Sequence, residues 1–432
     1  MNVLKEKGIP IDKQVKTWND IVKRPYCRAY VDNYTRTRQI LLNGIEVEAW
    51  GFKHQFIRKS DNLELNKTLA RIRRLEDMQQ TTMNWLCPAN QTVLDTTLGY
   101  EQVAVDLTAW LSQNEPDKYV KETYDFGLLE DFDHLYRYSQ FAYLIEETDP
   151  NEILHKMTDV MIARPTQYHH NCNAIRIRKP YDKDKTSPQT KVNILTLVSA
   201  EQQTHNFYAE HGFMYANTDL KRLYAEIKDV EEEHVTMYET LIDPNESMLE
   251  KWLIHEFTEV CNYYNCYKDE VDERIKLIWE ENMQMEIGHL KLAAEMFEKH
   301  EKRDAEEIIG TELIEPCHFE SQKEYVSKVI LSEADKRLGA NCDYLTVDEL
   351  PKDWASYKIQ EMTGKDGAPS EQAIHLSMHT IERDIAFADE EMLLKQPEIL
   401  ESALEKEYCA PNTVMPEEYK EFEKIERIDF IP

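Results

Sequence analysis

The stretch EEEHVTMYET, residues 231 to 240, opens with three glutamates and a histidine in a segment with the residue pattern of a helix. The segment continues through Met237 and Leu241, which have the spacing of a buried stripe. Glu231 and His234 stand three residues apart, so they share one helix face, as two ligands of one metal centre must. The stretch therefore indicates charged groups on a helix face that also packs in a core.

The same arrangement occurs three times in the chain. In each set a carboxylate is followed thirty residues later by a second carboxylate, and three residues after that by a histidine. In an antiparallel helix pair, residues equidistant from the turn lie at the same height. Each set therefore predicts a helix pair in which one carboxylate faces a carboxylate and a histidine. The sets are Glu101, Asp131 and His134; Glu201, Glu231 and His234; and Glu256, Glu286 and His289.

Breaks near the midpoints of these sets support the helix pairs. Residues 114 to 117, Asn-Glu-Pro-Asp, interrupt the first pair, and residues 217 to 219, Asn-Thr-Asp, interrupt the second. The third break, near residues 268 to 272, depends on the pattern alone. Pro244 and a capping box of Ser247 with Glu250 predict a short connection between the second and third pairs. Residues 91 to 300 are therefore expected to form a bundle of helix pairs.

The flanking segments have other patterns. In QILLNGIEVEAWGF, residues 39 to 52, Asn-Gly stands between two alternating apolar runs, which predicts a small β-hairpin with a type I′ turn. With a helix expected from Asp61 to about Trp85, residues 1 to 90 form an N-terminal extension. Prolines and the basic run RIRKP in residues 146 to 192 predict a long crossover or lid. Residues 301 to 432, with a helix expected from Ser370 to Leu394, form a C-terminal helical appendage.

Composition favours an all-α protein and excludes several kinds of partner. Hydrophobic residues make up 41% of the 432 residues, with only 11 Gly and 16 Pro. A net charge of −31 argues against nucleic acid or an anionic membrane, because either would need a cationic surface. The eight cysteines include no C-x-x-C pair, which excludes rubredoxin-type and zinc-ribbon sites. With no run of about 18 uncharged apolar residues and no apolar signal core, a cytoplasmic location is expected.

The repeated acids predict a bound cation. Taken singly, each glutamate is most simply a solvated residue and each histidine a core residue. A carboxylate on an apolar helix face costs several kcal/mol unless it is paired or coordinates a cation, so three such sets need a common reason. A ligand set of carboxylates and imidazoles suits iron or manganese. Zinc and copper sites are more often built on thiolates.

The pattern resembles that of the ferritin-like di-iron carboxylate bundles, in which Glu on one helix and Glu-x-x-His on the next occur twice. SAEQQTHNFYAEHG, residues 199 to 212, followed by EEEHVTMYETL, residues 231 to 241, is similar to the corresponding helices of rubrerythrins. The resemblance covers roughly residues 95 to 300 and implies a ferritin-like bundle of about six core helices with N- and C-terminal extensions. It implies two iron ions, or manganese and iron, with these ligands: Glu201, Glu231, His234, Glu256, Glu286 and His289, and in a variant third set Glu101, Asp131 and His134. We expect the second and third pairs to form the site, and a pairing that uses the first pair is the alternative.

The resemblance also implies an activity. Tyr208 and Tyr263 each follow the first Glu of a pair by seven residues, which predicts either core packing or a catalytic role as a hydrogen-bond partner or radical relay. The implied function is a non-haem oxidase or oxygenase that activates O2 or peroxide on a small organic substrate. The resemblance leaves open whether an electron-donor protein binds the chain and whether the chain forms a homodimer. A ferroxidase or a rubrerythrin-like peroxide reductase is the alternative in the same fold. A metal-free helical scaffold is the alternative of another class.

Overall fold

A computed structural model describes residues 2–28, 30–160 and 172–374. The chain in these ranges has an all-α fold, as predicted, and its only strands are the short antiparallel pair β1 (Lys336–Leu338) and β2 (Tyr344–Thr346). The helices in chain order are α1 (Trp18–Ile21), α2 (Thr35–Lys59), α3 (Leu63–Asn84), α4 (Val93–Asn114), α5 (Lys118–Glu146), α6 (Pro150–Ile153), α7 (Asn173–Arg176), α8 (Pro188–His211), α9 (Thr218–Glu239), α10 (Met248–Asp269), α11 (Glu273–Glu301), α12 (Glu306–Ile309), α13 (Lys323–Glu333) and α14 (Ala355–Thr363).

Eight of the helices in the described ranges pair as four hairpins, which we call A (α2 and α3), B (α4 and α5), C (α8 and α9) and D (α10 and α11). Hairpins B, C and D are the three predicted helix pairs, and each breaks at its predicted turn. The side chains of Asp117, Asn217 and Asp272 accept backbone N–H groups in the first turn of the second helix of each hairpin. The capping box of Ser247 with Glu250 begins α10, as predicted. Polar caps therefore fix where the second helix of hairpins B, C and D begins.

Hairpin A corrects the prediction for residues 39 to 52. This segment is the middle of α2 and not a β-hairpin, so that prediction is wrong. A Cβ atom on Gly44 would lie 2.7 Å from the side chain of Gln203, so glycine allows α2 to approach α8 closely. The Asn43 amide donates to the side-chain oxygen of Gln203 at 2.8 Å. The Asn-Gly pair therefore serves a helix crossing and not a turn.

The four hairpins form two copies of one unit, 155 residues apart. Helices α3, α4 and α5 begin and end 155 residues before α9, α10 and α11. The caps correspond as well, since Asn62 caps α3 as Asn217 caps α9, and Asp117 caps α5 as Asp272 caps α11. Hairpins A and B therefore correspond to hairpins C and D. The predicted six core helices leave out one hairpin.

The hairpins associate as B with C and A with D. In the B–C bundle α4 packs on α8 and α5 on α9, whereas in the A–D bundle α2 packs on α10 and α3 on α11. Each bundle contains its own cluster of buried hydrophobic side chains. Helices α2 and α8 pack against each other and join the two bundles. Hairpin A, which the sequence patterns place in an extension, thus forms half of a bundle.

The remaining described segments pack on this framework. Between hairpins B and C, α7 packs on α9, and residues 161–171 of this crossover lie outside the described residues. In the C-terminal appendage α13 packs on α4 and α5, and the ribbon of β1 and β2 was not predicted. The expected helix from Ser370 to Leu394 lies outside the described residues from position 375 onward. In the parts of the chain described, none of the helices has the length and apolar character needed to cross a membrane.

Candidate metal centre

Hairpins B and C bring six of the predicted ligands into one layer. Each hairpin contributes a carboxylate from its first helix and a carboxylate and a histidine from its second, at equal distances from the turn. All six side chains are at most 1% exposed. We call this set the B–C cluster: Glu101, Asp131 and His134 from hairpin B, with Glu201, Glu231 and His234 from hairpin C.

The two imidazoles face the same carboxylate from opposite sides. The His134 Nδ1 atom lies 2.9 Å from one oxygen of Glu231 and 3.9 Å from Glu101. The His234 Nδ1 atom lies 3.3 Å from the other oxygen of Glu231 and 3.4 Å from Asp131. Glu231 therefore presents one oxygen to each histidine, as a carboxylate that bridges two metal ions would.

The donor set of the B–C cluster fits a pair of divalent cations. Neither oxygen of Asp131, Glu201 or Glu231 accepts a hydrogen bond of normal geometry from any described residue. Buried carboxylates without donors are costly, and a coordinated cation removes that cost. With Glu101 the cluster has four carboxylates, whose charge two divalent cations neutralise. Carboxylate oxygens with one imidazole for each ion suit iron or manganese.

Without an ion, protons satisfy part of this cluster. Burial, reinforced by neighbouring carboxylates, raises the pKa of Asp131 and Glu231 well above the usual range of carboxyl groups. Burial opposes the charged form of His234, but the carboxylates around it, Glu201 first, raise its pKa well above that of a free histidine. Metal binding must displace these protons, so it should strengthen as the pH rises.

A buried ion-pair chain from the crossover orients His234. The Nε2 atom of His234 lies 2.9 Å from Glu130. The Arg176 guanidinium donates to both oxygens of Glu130, at 2.7 and 2.8 Å, and to Glu233 at 2.6 Å. Partners of this kind fix the orientation and tautomer of a metal-ligating histidine. Sequence reasoning missed both Glu130 and Arg176; the available signals were the basic run at residues 176 to 180 and the acid next to Asp131.

We expect Glu130→Gln to weaken metal binding at the B–C cluster by about 10–100-fold, the usual loss for an outer-shell partner of a ligating histidine. An amide cannot neutralise Arg176 or hold His234 as a carboxylate does. Competition titration of Mn²⁺ with a chelator measures the change. Glu210→Gln, on the exposed end of α8, is the matched control. Equal affinities for the two variants would contradict the role of Glu130.

The two predicted tyrosines lie in different bundles. The Tyr208 hydroxyl donates to a carboxylate oxygen of Glu101 in the B–C cluster. The ring of Tyr138 packs 5.3 Å from that of Tyr208, centroid to centroid. The Tyr263 hydroxyl donates to Glu46 at 2.5 Å in the A–D bundle. Tyr208 therefore touches a member of the B–C cluster and Tyr263 does not.

The third predicted set does not join the second. Glu256, Glu286 and His289 lie in the A–D bundle, so the expected pairing of the second and third helix pairs is wrong, and the alternative that uses the first pair is the one observed. The A–D cluster consists of these residues from hairpin D and their partners from hairpin A: Glu46, Glu76, Gln79, Glu256, Glu286 and His289. Sequence reasoning missed the contribution of hairpin A, although Glu46 and Glu76 have the thirty-residue spacing, because Gln79 stands where a histidine is expected.

Comparison of the chain with protein-family models, with curated proteins and with solved structures finds no match in any of the three. A function for the B–C cluster must therefore be argued from its own geometry.

Proposed function

We propose that the B–C cluster binds two iron ions, or manganese and iron, and that the protein is a ferritin-like di-metal oxidoreductase. The observation that carries the proposal is the layer of six buried ligands in which Glu231 faces both histidines. Two subsets are close enough to hold one ion each: Glu101, His134 and Glu231, and Asp131, Glu201, Glu231 and His234. When bound, such a pair of ions supplies Lewis-acid and redox chemistry for the activation of O2 or peroxide.

The residues of the chain decide what can reach this layer and how its ligands are held. Because its side chains are at most 1% exposed, the layer is closed to bulk water. Tyr208 orients Glu101 through its hydrogen bond and can hold or pass a proton at that carboxylate. Glu130 and Arg176 fix His234 from outside the layer. We therefore propose O2 or peroxide as one reactant and a small organic molecule as the substrate oxidised.

A ferroxidase is the second candidate. The complete burial of the ligands favours it, because Fe²⁺ and O2 are both small enough to enter such a layer. The two candidates differ in what is consumed: a ferroxidase oxidises added Fe²⁺ through many turnovers, whereas an organic oxidase does not.

We expect the purified chain to retain about two ions of iron or manganese, as a two-metal site requires. After anaerobic loading with Fe²⁺, exposure to O2 should give one round of O2 uptake limited by the bound iron. Elemental analysis and an oxygen electrode measure the two quantities. Continued uptake on added Fe²⁺ alone would favour the ferroxidase, and a chain that retains and takes up no metal would contradict both candidates.

A further inference from the structure

The A–D cluster repeats the ligand layer of the B–C cluster, but two residues of different chemistry replace Tyr208 and His234. By the 155-residue correspondence, Lys53 stands where the other copy has Tyr208, and Gln79 stands where it has His234. The remaining positions keep an acid or a histidine: Glu46 corresponds to Glu201, Glu76 to Glu231, Glu256 to Glu101, Glu286 to Asp131 and His289 to His134. Whether this second layer also binds metal depends on Lys53 and Gln79.

The Lys53 ammonium lies inside the second layer. It forms an ion pair with Glu76, and its Nζ atom lies 2.9 Å from Glu256 and 3.8 Å from Glu259. The side chains of Lys53, Glu76 and Glu256 are fully buried. In the B–C cluster the acids at the positions of Glu76 and Glu256 are the two that face His134. The ammonium thus occupies the space between acids whose counterparts in the B–C cluster would hold one ion.

The Gln79 amide lies among the acids that correspond to the proposed ligands of a second ion. Its nitrogen donates to Glu286 and, at 3.1 Å, to Glu46. The corresponding acids in the B–C cluster are two of those that face His234. An amide N–H group is a hydrogen-bond donor and not a metal ligand. Asp131 and Glu201 accept no hydrogen bond of normal geometry from the described residues, whereas one oxygen of Glu286 and one of Glu46 accept from Gln79.

Two further residues, His289 and Glu259, distinguish the A–D layer from the B–C layer. Both ring nitrogens of His289 have partners, Nδ1 with Glu286 at 2.8 Å and Nε2 with the Gln14 side chain at 2.6 Å. Glu259 adds a fifth carboxylate beside Lys53, at the position where the other copy has Ala104. The second layer is therefore built around a lysine.

We infer that the A–D cluster is an ion-free copy of the metal site, in which the Lys53 ammonium and the Gln79 amide replace the two ions. One chain then binds a single dinuclear centre, in the B–C bundle, and the A–D bundle is its structural counterpart.

The direct test restores the missing residues. Lys53→Tyr with Gln79→His gives the second layer the residues found at the corresponding positions of the first. In a His134→Ala, His234→Ala background, where the B–C cluster has lost both imidazoles, this double change should create a site for about two Mn²⁺ ions per chain, while the background alone binds none with comparable affinity. Equilibrium dialysis followed by elemental analysis measures the stoichiometry. Tight binding of Mn²⁺ by the background alone would overturn the inference.

The reverse change tests the same inference without depending on the folding of the A–D variant. Tyr208→Lys places an ammonium beside Glu101, as Lys53 lies beside Glu256, and should lower Mn²⁺ affinity of the otherwise unmodified chain by more than about 100-fold. Tyr208→Met, of similar length and without charge, should lose no more than the about 10–100-fold of an outer-shell partner. Equal losses for the two variants would contradict the replacement of an ion by a lysine. A chain that binds no metal at the B–C cluster would refute the proposed function, whereas the restored A–D layer tests the present inference separately.

Discussion

Replacing His234 with alanine should remove most of the bound metal from the purified chain, whereas His289→Ala should leave the metal content unchanged. The Nδ1 atom of His234 faces Glu231, Asp131 and Glu201 at 3.3, 3.4 and 3.7 Å and makes no hydrogen bond of normal geometry with the described residues. Both ring nitrogens of His289 already have protein partners. Because the loss of an outer-shell partner alone costs about 10–100-fold, the loss of this ligand should weaken binding by more than about 100-fold.

The two histidine variants control each other, because the residues are fully buried on the second helices of hairpins C and D. Elemental analysis after purification without chelators, together with Mn²⁺ titration, measures the effect. Circular dichroism establishes that both variants are folded. The assignment of the centre to hairpins B and C is contradicted if His289→Ala loses metal as His234→Ala does.

We expect Lys53→Met to lower the free energy of unfolding of the metal-free chain by about 3–5 kcal/mol at neutral pH, the usual cost of leaving buried charge without its partner. The loss should grow as the pH rises from about 5 to about 8. Even beside Lys53, burial raises the pKa of Glu76 to about 8, and without the ammonium the carboxyl groups of this layer retain protons to still higher pH. A folded chain that binds more protons than the unfolded chain loses stability as the pH rises. The free energy of unfolding of the variant therefore falls further below that of the wild type.

Urea denaturation at the two pH values measures this loss. Lys67→Met, at an exposed position of α3, is the matched control and should change the free energy of unfolding by less than about 0.5 kcal/mol. A Lys53→Met loss as small as that of the control, or one that shrinks as the pH rises, would contradict the description of the A–D layer as a lysine-centred ion cluster.

The sequence predicted hairpins B and C because two independent signals coincide in each, and it predicted hairpin D mainly from the repeated spacing. The thirty-residue spacing sets the height of the ligands, and the breaks near residues 114, 217 and 270 set the turns. Asp117, Asn217 and Asp272 then fix the helix starts. Where spacing and turn agree, local chemistry alone determines the hairpin.

The sequence pattern does not predict hairpin A, because the local signals in its first helix are typical of a β-turn. Asn43 and Gly44 have the chemistry of a tight turn, and only the crossing of α2 with α8 explains them as helical residues. Gln79 is not a usual metal ligand, so Glu46 and Glu76 lack the histidine that completes the pattern in the other three hairpins. With hairpin A placed in an extension, hairpin D was expected to pair with hairpin C, which is the wrong pairing.

The residues that contact the predicted ligands are still harder to predict from the sequence. Glu130, Arg176 and Lys53 are single residues whose roles depend on contacts between distant segments. Arg176 reaches Glu130 from the crossover, and Lys53 reaches Glu256 from another hairpin. Spacing along one helix cannot show contacts of this kind.

The most direct test of the central claim is an anomalous-scattering map from crystals of the purified chain, recorded at the iron and manganese edges. We expect two peaks about 3.5–4 Å apart, as in other two-metal sites, between Glu101, Glu231 and the two histidines of the B–C cluster, and no peak beside Lys53. Peaks in the A–D layer, or none in a metal-supplemented B–C layer, would contradict that claim.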